Sequence, residues 1–165
     1  MAKEIFMTQW FSDEMLLAGE SLIKRLDQTD AKVQAAFWLL DAEDTIWKLT
    51  LISPLVETDG PRNYYRHIDD INESAKPDEA VIALHDISVS GAHNRIFKAF
   101  LSIRDTVLWD EKLWLKKRLG KNFIGSVYFE DMYIYRMDFE LLEDNISNPT
   151  MKNKTTPLSS QGKQT

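Results

Sequence analysis

Residues 33–52 read VQAAFWLLDAEDTIWKLTLI. Two apolar runs, 33–40 and 45–52, flank Asp41-Ala42-Glu43-Asp44. Both runs are rich in β-branched and aromatic residues, which fit a pleated, half-buried surface. The spacing predicts a β-hairpin with a four-residue loop, Leu40 opposite Thr45 and Trp38 opposite Trp47. Alternation then puts Ala36, Trp38, Leu40, Trp47, Leu49 and Leu51 on one face. Ala35, Phe37, Leu39, Ile46, Lys48 and Thr50 fall on the other. Both faces are largely apolar, so the hairpin is either covered on both sides or presents one face to a partner. A helix over 31–41 is the competing reading, because Ala, Gln and Leu tolerate it.

Outward from this hairpin, local signals place the other elements. Ser12 is a good N-cap for a helix over 13–27, with Asp13 and Glu14 at the positive end of its dipole. Met15, Leu16, Leu22, Ile23 and Leu26 recur at helical spacing, and Trp10 and Phe11 precede the cap as a staple. Pro54 ends the second strand of the hairpin, and Asp59-Gly60-Pro61 starts a further helix. Its apolar stripe is Tyr64, Tyr65, Ile68 and Ile71. A strand over 81–89 and a helix over 91–108 follow, then a helix over 110–119. Lys116-Lys117-Arg118 would form the last turn of that helix and Gly120 its stop. Residues 122–139 read as a hairpin turning at Glu130-Asp131 or as one long bulged strand. The order is α, ββ, α, β, α, α, ββ. It predicts a two-layer α+β domain: a mainly antiparallel or mixed sheet of about five strands with about four helices packed on it.

The domain is expected to span residues 1–144. Residues 145–165 are polar and lack aromatics and acids, so they are expected to be a disordered tail. The chain has 165 residues, 26 acids, 20 Lys or Arg, and a net charge of −6. Its length suffices for a core without disulfides or metal. All the acids lie before residue 145, so the domain is more acidic than the whole chain. An acidic body repels phosphate backbones and disfavours nucleic acid as a partner. There are no cysteines, which excludes disulfides, thiolate metal sites and cysteine nucleophiles. No signal-peptide pattern or membrane-spanning apolar run is present, so the expected location is the cytoplasm and no membrane partner is expected.

No P-loop, dinucleotide fingerprint, zinc-protease helix or nucleophile elbow occurs. No cofactor and no metal site is expected. Residues 81–101, VIALHDISVSGAHNRIFKAFL, are the densest in polar chemistry. Ser88, Ser90, His93, Asn94 and Arg95 surround an expected strand-to-helix junction, with Ser90 as cap. Free amides and a guanidinium there suit a small anion such as a phosphate ester or nucleotide. The simpler reading is a capped, solvated first turn. His85 and Asp86 are adjacent, so on a strand they diverge. His85 then reads as a core histidine and cannot pair with Asp86. His67 and Asp70 are helix neighbours that could jointly face one metal or one proton, and with His85 or His93 they could complete a two-His, one-carboxylate set; the simpler reading is a charged outer helix face. His67, His85 and His93 are therefore the acid–base candidates. Trp38 and Trp47 are the interface candidates if one hairpin face is left open. Two functions follow. The first is a non-catalytic protein that binds another protein or itself through an aromatic face. The second is an enzyme or sensor for a small anionic ligand at 88–95.

Overall fold

The computed structural model describes residues 2–40, 43, 45–104 and 115–140. Strand β1 (Lys3–Glu4) precedes helix α1 (Asp13–Asp27). The Ser12 side chain accepts the Met15 amide, and Lys24 and Arg25 complement the dipole in the last turn. Phe11 packs into the same core as Leu16, as a staple requires, whereas Trp10 stays exposed.

The hairpin forms as β2 (Ala35–Leu40) and β3 (Trp47–Ile52). Leu40 faces Trp47 and Trp38 faces Leu49, two residues from the expected register. Thr45 lies in the left-handed region, with φ 51°, and cannot continue the ladder. The ladder therefore closes on Leu40 and Trp47. Since side chains alternate with period two, an offset of two leaves every residue on its expected face.

Pro54 opens helix α2 (Pro54–Asp59) as well as ending the strand, with Ser53 as cap. Gly60, at φ 88°, turns the chain into α3 (Pro61–Glu73). The strand expected over 81–89 is broken. It forms β4 (Ala80–Val81), a 3₁₀ turn at Leu84–Asp86, and β5 (Ile87–Ser90). Helix α4 spans Arg95–Ser102 and is capped by Asn94, not Ser90. The helix expected over 110–119 is contradicted where the structure describes it. Lys117–Ile124 is strand β6, paired with β7 (Val127–Met137); residues 110–114 lie outside the described residues. The chain turns at Gly125-Ser126, with Gly125 at φ 60°, and β7 runs straight through Glu130-Asp131. Glycine first in a two-residue loop is what a type II′ hairpin turn requires. The tail at 145–165 also lies outside the described residues.

Among the described residues the fold is a mixed α+β arrangement of four α-helices and a five-stranded sheet ordered β5-β3-β2-β7-β6. The β3–β5 pair is parallel and the others antiparallel. A small parallel pair, β1–β4, stands apart. Helices α1, α2 and α3 pack on one face of the main sheet, against Ala36, Trp38, Trp47, Leu49 and Leu51. Helix α4 packs on the other, against Ala35, Phe37, Ile52 and Ile134. The hairpin is thus covered on both sides, and the helices form two layers rather than one.

One irregularity organises the α1 side. Ala36 pairs with Arg136 but Phe37 pairs with Ile134, so Tyr135 is an extra residue in β7. A bulge of this kind turns successive side chains to one face. Tyr135 and Arg136 both reach α1. The Tyr135 hydroxyl accepts the Trp38 indole N–H at 2.9 Å and donates to the Leu16 carbonyl at 2.7 Å. Burial raises the Tyr135 pKa and keeps the phenol neutral. Arg136 makes a bidentate pair with Asp27, at 2.9 and 2.6 Å, and also donates to the Val33 carbonyl.

Candidate functional site

The three histidines occupy three separate pairs. His67 Nε2 lies 2.9 Å from the Thr29 hydroxyl. That hydroxyl already donates to the Leu26 carbonyl, so the histidine is the donor and its Nε2 carries the proton. His93 Nδ1 lies 3.1 Å from Glu57 Oε1. His85 Nε2 lies 3.4 Å from Asp86 Oδ2. None of the three shares a partner with another. Among the described residues no group of three His, Asp or Glu could hold a metal ion.

His85 and Asp86 depart from expectation in two ways. The 3₁₀ turn replaces strand alternation, so adjacent side chains meet rather than diverge. It also puts His85 in solvent and buries Asp86, the reverse of a core histidine. Burial pushes the Asp86 carboxyl above its usual range, with His85 and Lys48 pulling the other way.

The junction at 88–95 lies at the carboxyl ends of β3 and β5. These parallel neighbours lead to helices on opposite faces of the sheet, the kind of switch point where open sheets bind ligands. Here the place is filled. The Ser53 amide donates to the Ser90 carbonyl at 3.0 Å. Gly91 is packed so closely on the Glu57 side chain that a Cβ at this position would overlap the carboxylate. Asn94 Oδ1 accepts the amides of Ile96 and Phe97 at 3.0 and 3.1 Å, the groups an anion would need. Ser88 lies within β5, Ser90 ends it, and Arg95 begins α4. At this end of the sheet His93 is paired with the protein's own Glu57 carboxylate, and the Asn94 amide oxygen takes the first amides of α4. Asn94→Ala is expected to cost about 1 kcal/mol of stability, read as a lower melting temperature, because the amide oxygen acts as a cap.

Trp38 and Trp47 are fully buried, so the exposed hot spot expected of them is absent. Phe11 closes over both, with ring centroids 5.9 and 5.1 Å away. The Arg118 guanidinium lies over Phe11 and Trp47 while paired to Asp131. Large apolar side chains do face solvent on several elements: Phe6 is 82%, Trp10 69%, Phe123 65%, Leu17 63% and Ile46 52% exposed. Trp47 Nε1 donates to the Gln9 carbonyl at 3.1 Å, which ties the N-terminal segment carrying Phe6 and Trp10 to the sheet. The signal for these two was available in the sequence: Ile5 to Phe11, IFMTQWF, is seven residues without a charge.

Comparison with protein-family models, curated proteins and solved structures finds no match for this chain. No helix among the described residues is long and apolar enough to cross a membrane. The class these observations define is an α+β domain with exposed aromatic side chains, Phe6 and Trp10, in its N-terminal segment.

Proposed function

We propose that this is a non-catalytic protein that acts by protein–protein contact, first with a second copy of itself, through Phe6 and Trp10 of its N-terminal segment. The observation that carries the reading is that Trp10 stands 69% and Phe6 82% exposed in one uncharged N-terminal segment, although buried Trp38 and Trp47 show the fold can enclose indoles. Aromatic side chains anchor interfaces. A second copy suits the patch on charge grounds. Two chains of net charge −6 repel each other, and the uncharged run 5–11 is where they approach at least cost. An apolar patch is also complementary to itself, as a two-fold contact requires. A cysteine-free interaction protein of this kind fits a cytoplasmic location.

Amide hydrogen exchange tests the reading. Residues 5–11 are expected to exchange more slowly in concentrated than in dilute protein, and the difference should grow with salt as the acidic bodies are screened. A Phe6→Ser, Trp10→Ser variant is expected to lose that difference while staying within about 0.5 kcal/mol of wild-type stability, since both side chains are at the surface. Equal exchange at all concentrations counts against the proposal.

A further inference from the structure

The outer edge of β5 is closed in two ways: the Ile87 amide bonds back to the Leu84 carbonyl, and a single side-chain hydroxyl takes the next two groups along the edge. Among the described residues β5 ends the main sheet, with β3 as its one strand neighbour. The Ser90 carbonyl is bonded toward the β3 side, so the backbone groups of Ile87 and Val89 point outward. The Tyr65 hydroxyl, from α3, donates to the Ile87 carbonyl at 2.9 Å and accepts the Val89 amide at 3.2 Å. A residue of a parallel neighbouring strand bonds in the same way, donating to the carbonyl before its partner and accepting from the amide after it. One phenol therefore stands in for one residue of a missing strand opposite Ser88.

The other edge of the sheet is guarded differently. Strand β6 carries Lys117, Arg118 and Lys121, and charge is the usual protection of an edge strand. Strand β5 is Ile-Ser-Val-Ser, with no charge and no proline. We propose that Tyr65 is the guard of a latent strand-addition edge, and that without its hydroxyl a second copy of this chain pairs along β5. Antiparallel pairing about Ser88 sets Ile87 of one copy opposite Val89 of the other, a β-branched pair with no charge to oppose it.

Tyr65→Phe tests this, since it keeps the ring and removes only the hydroxyl. It is best made with Phe6→Ser and Trp10→Ser, so that association through the N-terminal face does not contribute. The Val89 amide is expected to exchange about tenfold faster in dilute Tyr65→Phe protein than in its parent. Sedimentation velocity should then show mass rising with concentration, and a further Ser88→Lys change should return it to monomer by charging the edge. A Tyr65→Phe protein that stays monomeric at every concentration overturns the proposal. So does a Val89 amide that already exchanges at the rate of an unbonded surface amide in the parent protein, a measurement that needs no variant.

Discussion

Asp27→Ala is expected to lower stability by about 3 kcal/mol, near the low end for breaking a buried ion pair. That corresponds to roughly 6–12 °C in melting temperature for a chain of this size. Two effects oppose each other at this position. Asp27 is the last residue of α1, where a carboxylate meets the negative end of the dipole, so removing it should help by up to about 1 kcal/mol. Against this, Arg136 is only 4% exposed while Asp27 is 34% exposed. Losing the carboxylate strips a desolvated guanidinium of its neutralising charge, and that larger cost decides the sign. The reciprocal change leaves a carboxylate that water can reach. Arg136→Met is therefore expected to cost less, about 2 kcal/mol. Urea unfolding of both variants checks the order. Equal or reversed costs would show that the pair is not buried so asymmetrically.

Gly19→Ala is expected to destabilise by about 2 kcal/mol, although alanine in a helix is ordinarily more stable than glycine by about 0.5–1 kcal/mol. Gly19 is buried on the inner face of α1. A Cβ there would press on the Tyr135 hydroxyl and the Trp38 indole nitrogen. Neither group can move away freely, because the hydroxyl is held between Trp38 and the Leu16 carbonyl. Overpacking of this kind costs about 1–3 kcal/mol, and a displaced hydroxyl adds the cost of an unbonded indole N–H. In a Tyr135→Phe background the hydroxyl is gone, and Gly19→Ala should cost at least about 1 kcal/mol less, a coupling that a double-mutant cycle isolates. Additive costs would mean that the glycine is there for another reason.

The elements readable in the sequence were those whose determinants are local. Helix α1 begins and ends where Ser12 and its charge pattern place it. The faces of β2 and β3 follow from alternation alone. Reading failed where a distant partner decides. Lys116-Lys117-Arg118 looks like the last turn of a helix, but Arg118 finds Asp131 across the β6–β7 hairpin and the rings of Phe11 and Trp47 above it. The hairpin signal, Gly125-Ser126, was present and weaker than the acidic pair at 130–131. The break at Leu84–Asp86 gave no warning, and it inverts the environments of His85 and Asp86. The bulge that turns both Tyr135 and Arg136 toward α1 cannot be read from β7 alone, because it is a mismatch between two strands. Gly19 did carry a hint, since an isolated glycine inside a strong helix usually has a packing reason. Of the candidate site residues, His93 pairs with Glu57 and Asn94 caps α4. Sequence could not show that Glu57 and Asn94 already occupy the place.

Sedimentation velocity across a concentration series at about 0.15 M salt, where the Debye length is short, bears most directly on the proposed contact through Phe6 and Trp10. The predicted result is a mass that rises above the 19.2 kDa of one chain as concentration increases. The Phe6→Ser, Trp10→Ser variant should stay at the mass of one chain throughout. A wild-type protein that remains at the single-chain mass at every concentration, or a variant that associates as wild type does, would contradict it.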